Sequence, residues 1–584
     1  MGKNIKIFFA VSALFIIFFS FGTNIPNEHR RGFFSDESSY FSITQSLAYD
    51  LDIKYKREDI KRIEDYFPGG PTGIYLKKKE GTDDYITYAK PFMYPLFAAP
   101  FFRLFGTGGI LLFNGIMLYL SILMGYLLLK QYYPPNQSLS FTLIFIFSSV
   151  TWIYIWWMTS DLFNFFTLFT ALFFFFYPFK NNRWFYVSSV FFTAFVMSKP
   201  TNLAPVGIIF LILLYRKEWK KFILLSLICI LLTAGLVFFY YQQTGELSPK
   251  LYYGGDRTAF FTDYPFDRPG SKFVSHAKTS MDDYVERMYI TPEVGALNLF
   301  YYFFGRFTGM FIYFFPAFFL LAVFFFRKKI PEDWFILAAI FSSILIACIL
   351  FAADSYFGGS GSVGNRYFLN IFPLFFFLGS RNRTFKYSVI PVFVAAILLA
   401  PTFMDALFHS YRPRKTGIAF PVNCFPVEKT QFMHLPTNEN PRARNLDVGG
   451  KYRVYFINDN FHGMENESFW TKPGKEAELL LLAPRKVNRF EVILQNSPFK
   501  NRVTIQIEYK KKRGELKPGD SKVLFFEHID GLKVSRGYLY QVKVKSSRTG
   551  DPDYENQALD AMRHLGVNVH IELHLQDEMD FISR

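Results

Sequence analysis

Cysteine is nearly absent. Cys229, Cys348 and Cys424 are the only three in 584 residues, and they lie far apart, two of them within apolar runs. That excludes a disulfide framework and any zinc-type ligand spacing. A Walker loop, a dinucleotide-binding glycine fingerprint, a nucleophile elbow and a zinc-protease helix are also missing, so the chemistries they mark have no foothold here. No internal repeat or low-complexity tract stands out. Charged residues make up only 19% of the chain, and they avoid the apolar runs. What fills those runs is aromatic and aliphatic: 51% of residues are hydrophobic and 76 are Phe. With a mean hydropathy of only +0.14, the apolar content must be concentrated in long segments separated by ordinary polar sequence, as in a polytopic membrane protein.

The first such segment, residues 7–21, follows Lys3 and Lys6 and has no small-residue cleavage site, so it reads as an uncleaved anchor. Further runs occupy 108–129, 138–157, 162–177, 184–197 with 203–215, 222–241, 308–326, 334–351, 367–378 and 387–403. They predict about eleven spans, several shorter than the roughly 20 residues of a straight crossing. Alternate loops carry the basic residues, among them Lys130, Lys180 with Arg183, Arg216 to Lys221, Arg327 to Lys329, and Arg381 to Lys386. The positive-inside rule makes these loops cytoplasmic. The same bias accounts for the net charge of +16 without a nucleic-acid partner. The connections 24–90, 242–307 and 352–366 then face outward, as does the tail.

Residues 1–404 are therefore expected to form a transmembrane module. After about residue 405 the apolar runs stop and strand-like alternation begins, at 452–457, 476–482, 489–494, 502–509, 523–527, 538–544 and 567–575. This predicts an extracytoplasmic β-sandwich domain over 405–584.

The stretch around which the outer loops are organised is 32–49, GFFSDESSYFSITQSLAY. It places Asp36 and Glu37 beyond the first span. Tyr40, Ile43, Leu47 and Leu51 follow at helical spacing, which predicts a helix lying on the membrane surface. A carboxylate at that boundary can take a proton from a hydroxyl, and it can equally serve to cap a helix, with Ser35 or Asp36 as N-cap. Lys90 precedes Pro91 and Tyr94 in KPFMYPLFAAPFFRLFG, whose prolines predict an interfacial or half-inserted helix. Its ammonium suits an anionic head group or simply snorkels. DSYFGGSGSVGNRYFL delivers Arg366 to the outer end of a span, either to clamp phosphate oxygens or as a flexible connector's end. Asp161 in MTSDLFNFF and Lys199 in MSKPTN stand at outer helix ends, to line a shared cavity or to terminate helices. The loop 242–307 adds Asp256, Arg257, His276 and Arg306.

Taken together, SDESSYF, the Lys-Pro segment, MTSDLFNFF and GNRYFLNIFPLFFF resemble, in order over roughly residues 1–400, the GT-C superfamily of polyprenol-phosphate-sugar-dependent glycosyltransferases. The likeness is to its protein O-mannosyltransferase and lipid A aminoarabinose transferase branch. It implies inverting transfer of a sugar from a polyprenyl-phosphate donor to an acceptor glycan, lipid or protein hydroxyl, on the periplasmic face of a bacterial inner membrane. By the same resemblance Asp36 is the general base and Glu37 its neighbour. Lys90 and Arg366 hold the donor phosphate, and Tyr40, Tyr94 and Asp161 line the donor site. No cofactor is required by it, and a divalent cation stays open. Some relatives carry an acid before the Lys-Pro pair where this chain has Ala89, so the second carboxylate falls to Asp83, Asp84 or Asp161. A transporter or flippase of lipid-linked sugars is the competing class. Transporters place ionisable groups near the bilayer midplane, and here they gather at one face.

Overall fold

The computed structural model describes residues 2–23, 36–66, 74–78, 86–245, 290–351, 355–359, 361–380, 389–436, 446–462, 464, 467–548 and 565–576. Residues 32–35, Asp83, Asp84, Asp256, Arg257, His276, Asp354 and the basic loop 381–386 lie outside the described residues.

The N-terminal two thirds is helical. In chain order the main helices are α1 Lys3–Gly22, α2 Asp36–Tyr49, α3 Arg57–Tyr66, α4 Met93–Leu129, α5 Pro135–Phe147, α6 Ser160–Phe176 and α7 Val187–Ser198. They continue with α8 Leu203–Tyr215, α9 Trp219–Thr244, α10 Pro292–Phe304, α11 Phe315–Phe326, α12 Pro331–Leu345, α13 Arg366–Ser380 and α14 Val389–Met404.

Four described helices are long and apolar enough to cross a membrane: α1, α4, α9 and Pro331–Ile349. A fifth is added if α5 and the 3-10 helix Val150–Trp156, bent by 69°, count as one span. Shorter apolar helices, among them α6, α11 and α14, make up the rest. The apolar runs 162–177 and 308–326 and the described part of 387–403 are thus helical but broken or short. Outward-facing apolar side chains such as Phe18, Ile230 and Phe393 have no protein cover. Lipid is the solvent that suits them.

The Phe richness has a structural use. α6 and α13 run through the centre with nearly every residue buried. Their rings interlock with α5: Phe145 stacks on Phe372 at 4.2 Å, and Phe169 meets Phe376 at 5.1 Å. Such pairs add about 0.5–1.5 kcal/mol each beyond burial.

Two sequence expectations about the outer loops meet different fates. The segment before the α4 span is a separate helical piece, because Gly106 breaks α4 with φ +60°. Gly109 then lets the chain double back, since a Cβ there would strike the Phe101 carbonyl. The surface helix expected from Tyr40, Ile43 and Leu47 is instead buried all round. Every side chain from Ser38 to Leu47 is inside, and Leu51 is 77% exposed. The reason is the cover above it. α3 and the hairpin β1 Leu76–Lys78 with β2 Ile86–Tyr88 fold over α2. They are fixed by the Tyr75 N–H donating to Ser39 Oγ (2.9 Å), Gln45 Nε2 to the Asp59 carbonyl (3.0 Å) and Tyr88 OH to Asp59 (3.1 Å).

The C-terminal strands form two packed sheets. Residues 406–431 are short helices and 3-10 turns, and strands start at 446. They run β3 Leu446–Val448, β4 Tyr452–Phe456, β5 Ser468–Trp470, β6 Glu476–Ala483, β7 Val487–Asn496, β8 Asn501–Ile507, β9 Lys510–Leu516, β10 Ser521–Glu527, β11 Leu532–Val534, β12 Gly537–Arg548 and β13 Val567–Leu575. One sheet has the order β10-β7-β13-β5. The other is seven-stranded, β3-β4-β6-β12-β8-β9, with β11 on β12. All seven alternating runs are strands. The basic β9 and the three-residue strands carry no such alternation.

From Leu479 onward β6 is continuously apolar because both its faces are covered. One face meets the inter-sheet core, and the other meets Phe307, Val427 and Phe432 from the helical side. The same junction holds a buried ion pair, Arg306 Nη1 to Glu478 Oε2 at 2.5 Å.

Candidate active site

Four helix N-termini converge. Asp36 opens α2, Lys90 lies three residues before α4, Asp161 sits in the first turn of α6 and Arg366 opens α13. Asp36 lies between two cations, with Oδ1 2.7 Å from Lys90 Nζ and Oδ2 2.8 Å from Arg366 Nη2. Arg366 Nη1 reaches Asp161 Oδ2 at 3.8 Å, and Thr159 Oγ1 donates to that same oxygen at 2.7 Å. The network is not sealed: the Asp36, Lys90 and Arg366 side chains keep 17%, 21% and 14% of their area exposed.

Ser35, one of the two residues expected as N-cap, lies outside the described residues, and Asp36 and Glu37 do sit in the first turn of α2, where a helix dipole favours acids. Among the described residues, Asp36 bonds to Lys90 and Arg366. Glu37 Oε1 accepts from the Met158 N–H at 3.3 Å. Among the described residues neither bonds to an amide of its own helix. A guanidinium at the start of α13 faces the positive end of a helix dipole, an unfavourable place for a cation. The flanking Asp36 and Asp161 offset this. Local rules broken in this way tend to mark function.

Glycine permits the placement of Arg366. Gly358, at φ +90°, packs on the guanidinium so closely that a Cβ would overlap Arg366 Nε, and that nitrogen has no partner among the described residues. On its other side Tyr367 serves two cations: Lys199 Nζ lies 2.9 Å from the ring centroid and Arg366 Cζ 5.5 Å. Lys199 also lines a cavity of about 80 Å³ with Thr201, Asn202 and Asn370.

Protonation follows from these neighbours. Burial alone would raise the Asp36 carboxyl, but the Lys90 and Arg366 charges outweigh it and hold Asp36 well below the usual carboxylate range. Among the described residues Glu37 has no cation in direct contact. Burial pushes it up to about 7, against the Met158 hydrogen bond and with help from the Asp36 charge. Burial and the Arg366 charge lower the Lys199 ammonium well below its ordinary value.

The tyrosines lie deeper. Tyr40 OH is 3.1 Å from Ser160 Oγ, and its ring meets Tyr94 edge-on at 5.9 Å. Tyr94 is 1% exposed, so it stands a layer below the ionic network rather than on an open donor surface. Its hydroxyl donates to Asn114 Oδ1 at 3.2 Å, and Asn114 Nδ2 donates to the Ile155 and Trp157 carbonyls at 3.0 Å each. Asn114 therefore ties α4 to the segment that presents Met158, Thr159 and Asp161. Sequence reasoning passed over it, although an amide in the middle of an apolar span was the available signal. Among the described residues, no group of three or more His, Cys, Asp and Glu is arranged to hold a metal ion.

No family model and no curated relative matches the chain. Among solved structures it is similar to ArnT from Cupriavidus metallidurans bound to undecaprenyl phosphate. There the identity is 12% and the TM-score 0.43, over 69% of this chain and 66% of that one. It is similar also to the apo state of the same protein, at 15% identity and TM-score 0.37, over 69% and 65%. A third likeness is the apo oligosaccharyltransferase of Archaeoglobus fulgidus, at 12% identity and TM-score 0.36, over 70% and 57%. This chain spans less than two thirds of the length of each.

Proposed function

We propose that the chain is a membrane glycosyltransferase of the GT-C kind, moving a sugar with inversion from a polyprenyl-phosphate donor to an acceptor hydroxyl at the periplasmic face of a bacterial inner membrane. In this reading the shorter apolar helices also cross, giving about eleven spans. Residues 1–404 are then the transferase module and 405–584 an outward-facing domain. The observation that carries the reading is the Asp36 carboxylate held between Lys90 and Arg366, 2.7 and 2.8 Å away.

A carboxylate clamped by two cations is a weak base, and an anionic phosphate is the natural competitor for those cations. As the donor phosphate engages Lys90 and Arg366, Asp36 regains basicity and faces the acceptor. It takes the hydroxyl proton while the acceptor oxygen attacks the anomeric carbon. The bond from that carbon to the phosphate oxygen breaks, and both electrons leave with the lipid phosphate. The charge growing there meets fixed ammonium and guanidinium groups, which stabilises the transition state more than the ground state. Asp161 and Thr159 hold Arg366 in aim, and Tyr40 walls the site beside Ser160.

Proteoliposomes loaded with a polyprenyl-phosphate sugar test the reading. Label is expected to pass to an acceptor, leaving free polyprenyl phosphate. Movement of intact donor across the bilayer with no transfer would establish the flippase class instead.

Glu37 supplies a pH signature. With its carboxyl raised to about 7, it is neutral below that pH and adds a second negative charge beside the donor phosphate above it. The donor KM is expected to rise as pH climbs through 7 and to stay flat in Glu37→Gln. A wild-type profile with no break near 7 would remove Glu37 from the site's electrostatics.

A further inference from the structure

The β10-β7-β13-β5 sheet has one face in the core and one turned away from it. Phe490, Val492, Leu494, Val567, Val569 and Phe469 point inward. By alternation, their neighbours stand on the outer face in cross-strand rows. One row is Ser521, Gln495, Asn568 and Trp470, and the next is Val523, Ile493, His570 and Ser468. Between them lies a cleft of about 450 Å³, lined by Ser468, Ile493, Gln495, Ser521, Asn568 and His570, with Gly519 at its edge. Four strands at the usual spacing make the row about 14 Å across, the width of two to three pyranose rings.

The chemistry of this face is specific in what it offers. Gln495, Asn568 and Ser521 make no side-chain hydrogen bond among the described residues, so both their donors and their acceptors are available. The cleft carries no carboxylate, ammonium or guanidinium. Its one ionisable lining group is the His570 imidazole, whose Nε2 lies 3.3 Å from Glu572 Oε1, and the other charged groups of the face start one row farther along, where Glu491 lies 3.2 Å from His574 and 3.9 Å from Arg489. A partner that suits this cleft is neutral, presents groups that both donate and accept, and has a flat apolar side for a ring such as that of the partly buried Trp470. We infer that this sheet face is a binding site for a neutral oligosaccharide, with Gln495, Asn568 and Ser521 hydrogen-bonding its hydroxyls and Trp470 packing against a sugar ring. A peptide strand would pair with a sheet edge through backbone groups, whereas these side chains occupy the face of the sheet.

The site does not depend on the transferase reading, so binding is measured in full-length Asp36→Asn protein in nanodiscs as well as in wild type. The probe is an array of neutral and anionic oligosaccharides of two to six residues. Neutral members are expected to bind equally to both proteins. Affinity should fall at least tenfold in Gln495→Ala/Asn568→Ala and also in Ser521→Trp, which fills the cleft from an exposed position without touching the core. Unchanged melting curves show that the variants fold. Binding confined to anionic members and abolished by salt would place it on basic surface such as β9 and overturn the inference. So would the absence of any binder, capture of peptides alone, or neutral binding that both variants leave intact.

Discussion

Asp36→Asn is expected to lower transfer from a polyprenyl-phosphate sugar by about 10²–10⁴-fold, the range for loss of a positioned general base, with the protein still inserted and folded. The substitution keeps the shape of the side chain and removes its charge and basicity. Lys90 and Arg366 then have no carboxylate between them, so the donor phosphate meets less competition. Donor affinity is therefore expected to hold or improve while kcat collapses. This split separates a base from a merely structural acid, whose loss would weaken binding and folding together. The Asp36, Lys90 and Arg366 side chains are only 17%, 21% and 14% exposed, so losing these ion pairs is expected to cost measurable stability, and donor affinity that holds while kcat falls is the discriminating readout. Parallel measurements of donor binding, turnover and thermal unfolding check the prediction, and full activity in a reconstituted assay would remove Asp36 from the chemistry.

Arg366→Ala is expected to weaken donor binding and to reduce turnover by about 10²–10³-fold, as when one preorganised electrostatic contact to developing charge is deleted. The residue has two duties here. It faces the place where phosphate competes with Asp36, and it lies 3.8 Å from Asp161, whose side chain is 6% exposed. Its removal leaves Asp36 and Asp161 to repel each other across the gap. Arg366→Lys is expected to recover part of the turnover. It restores the charge but loses the planar two-point grip and the fit against Gly358 and Tyr367. Unchanged donor affinity in Arg366→Ala, measured on folded protein, would sink the phosphate assignment.

The residues of this network come from four separate parts of the chain, near positions 36, 90, 161 and 366. Each carried a local signal: two acids after a span, a lysine before proline, an acid in a first helical turn, an arginine after glycines. Each signal also had an ordinary structural explanation. What tells them apart is distance, and distance between such remote segments depends on how α2, α4, α6 and α13 pack. Asn114 shows the opposite case. Its hydrogen bonds to Tyr94, Ile155 and Trp157 are a consequence of packing, with only an out-of-place amide to announce them. The α2 helix shows a third. Its apolar spacing read as a membrane-surface stripe, yet α3 and the β1-β2 hairpin fold over it, so every side chain from Ser38 to Leu47 is buried.

The sequence by itself determined the apolar helical part, the strand-rich tail and the identity of the charged residues placed at segment ends. These depend on periodicity and transfer free energy, which act over neighbouring residues. Only the tertiary structure decided that Asp36 lies between Lys90 and Arg366, that Glu37 has no cation in contact among the described residues, and that one face of the β10-β7-β13-β5 sheet is turned away from the core. Those facts depend on contacts between residues tens to hundreds of positions apart, where side-chain packing sets the geometry and local pattern is silent.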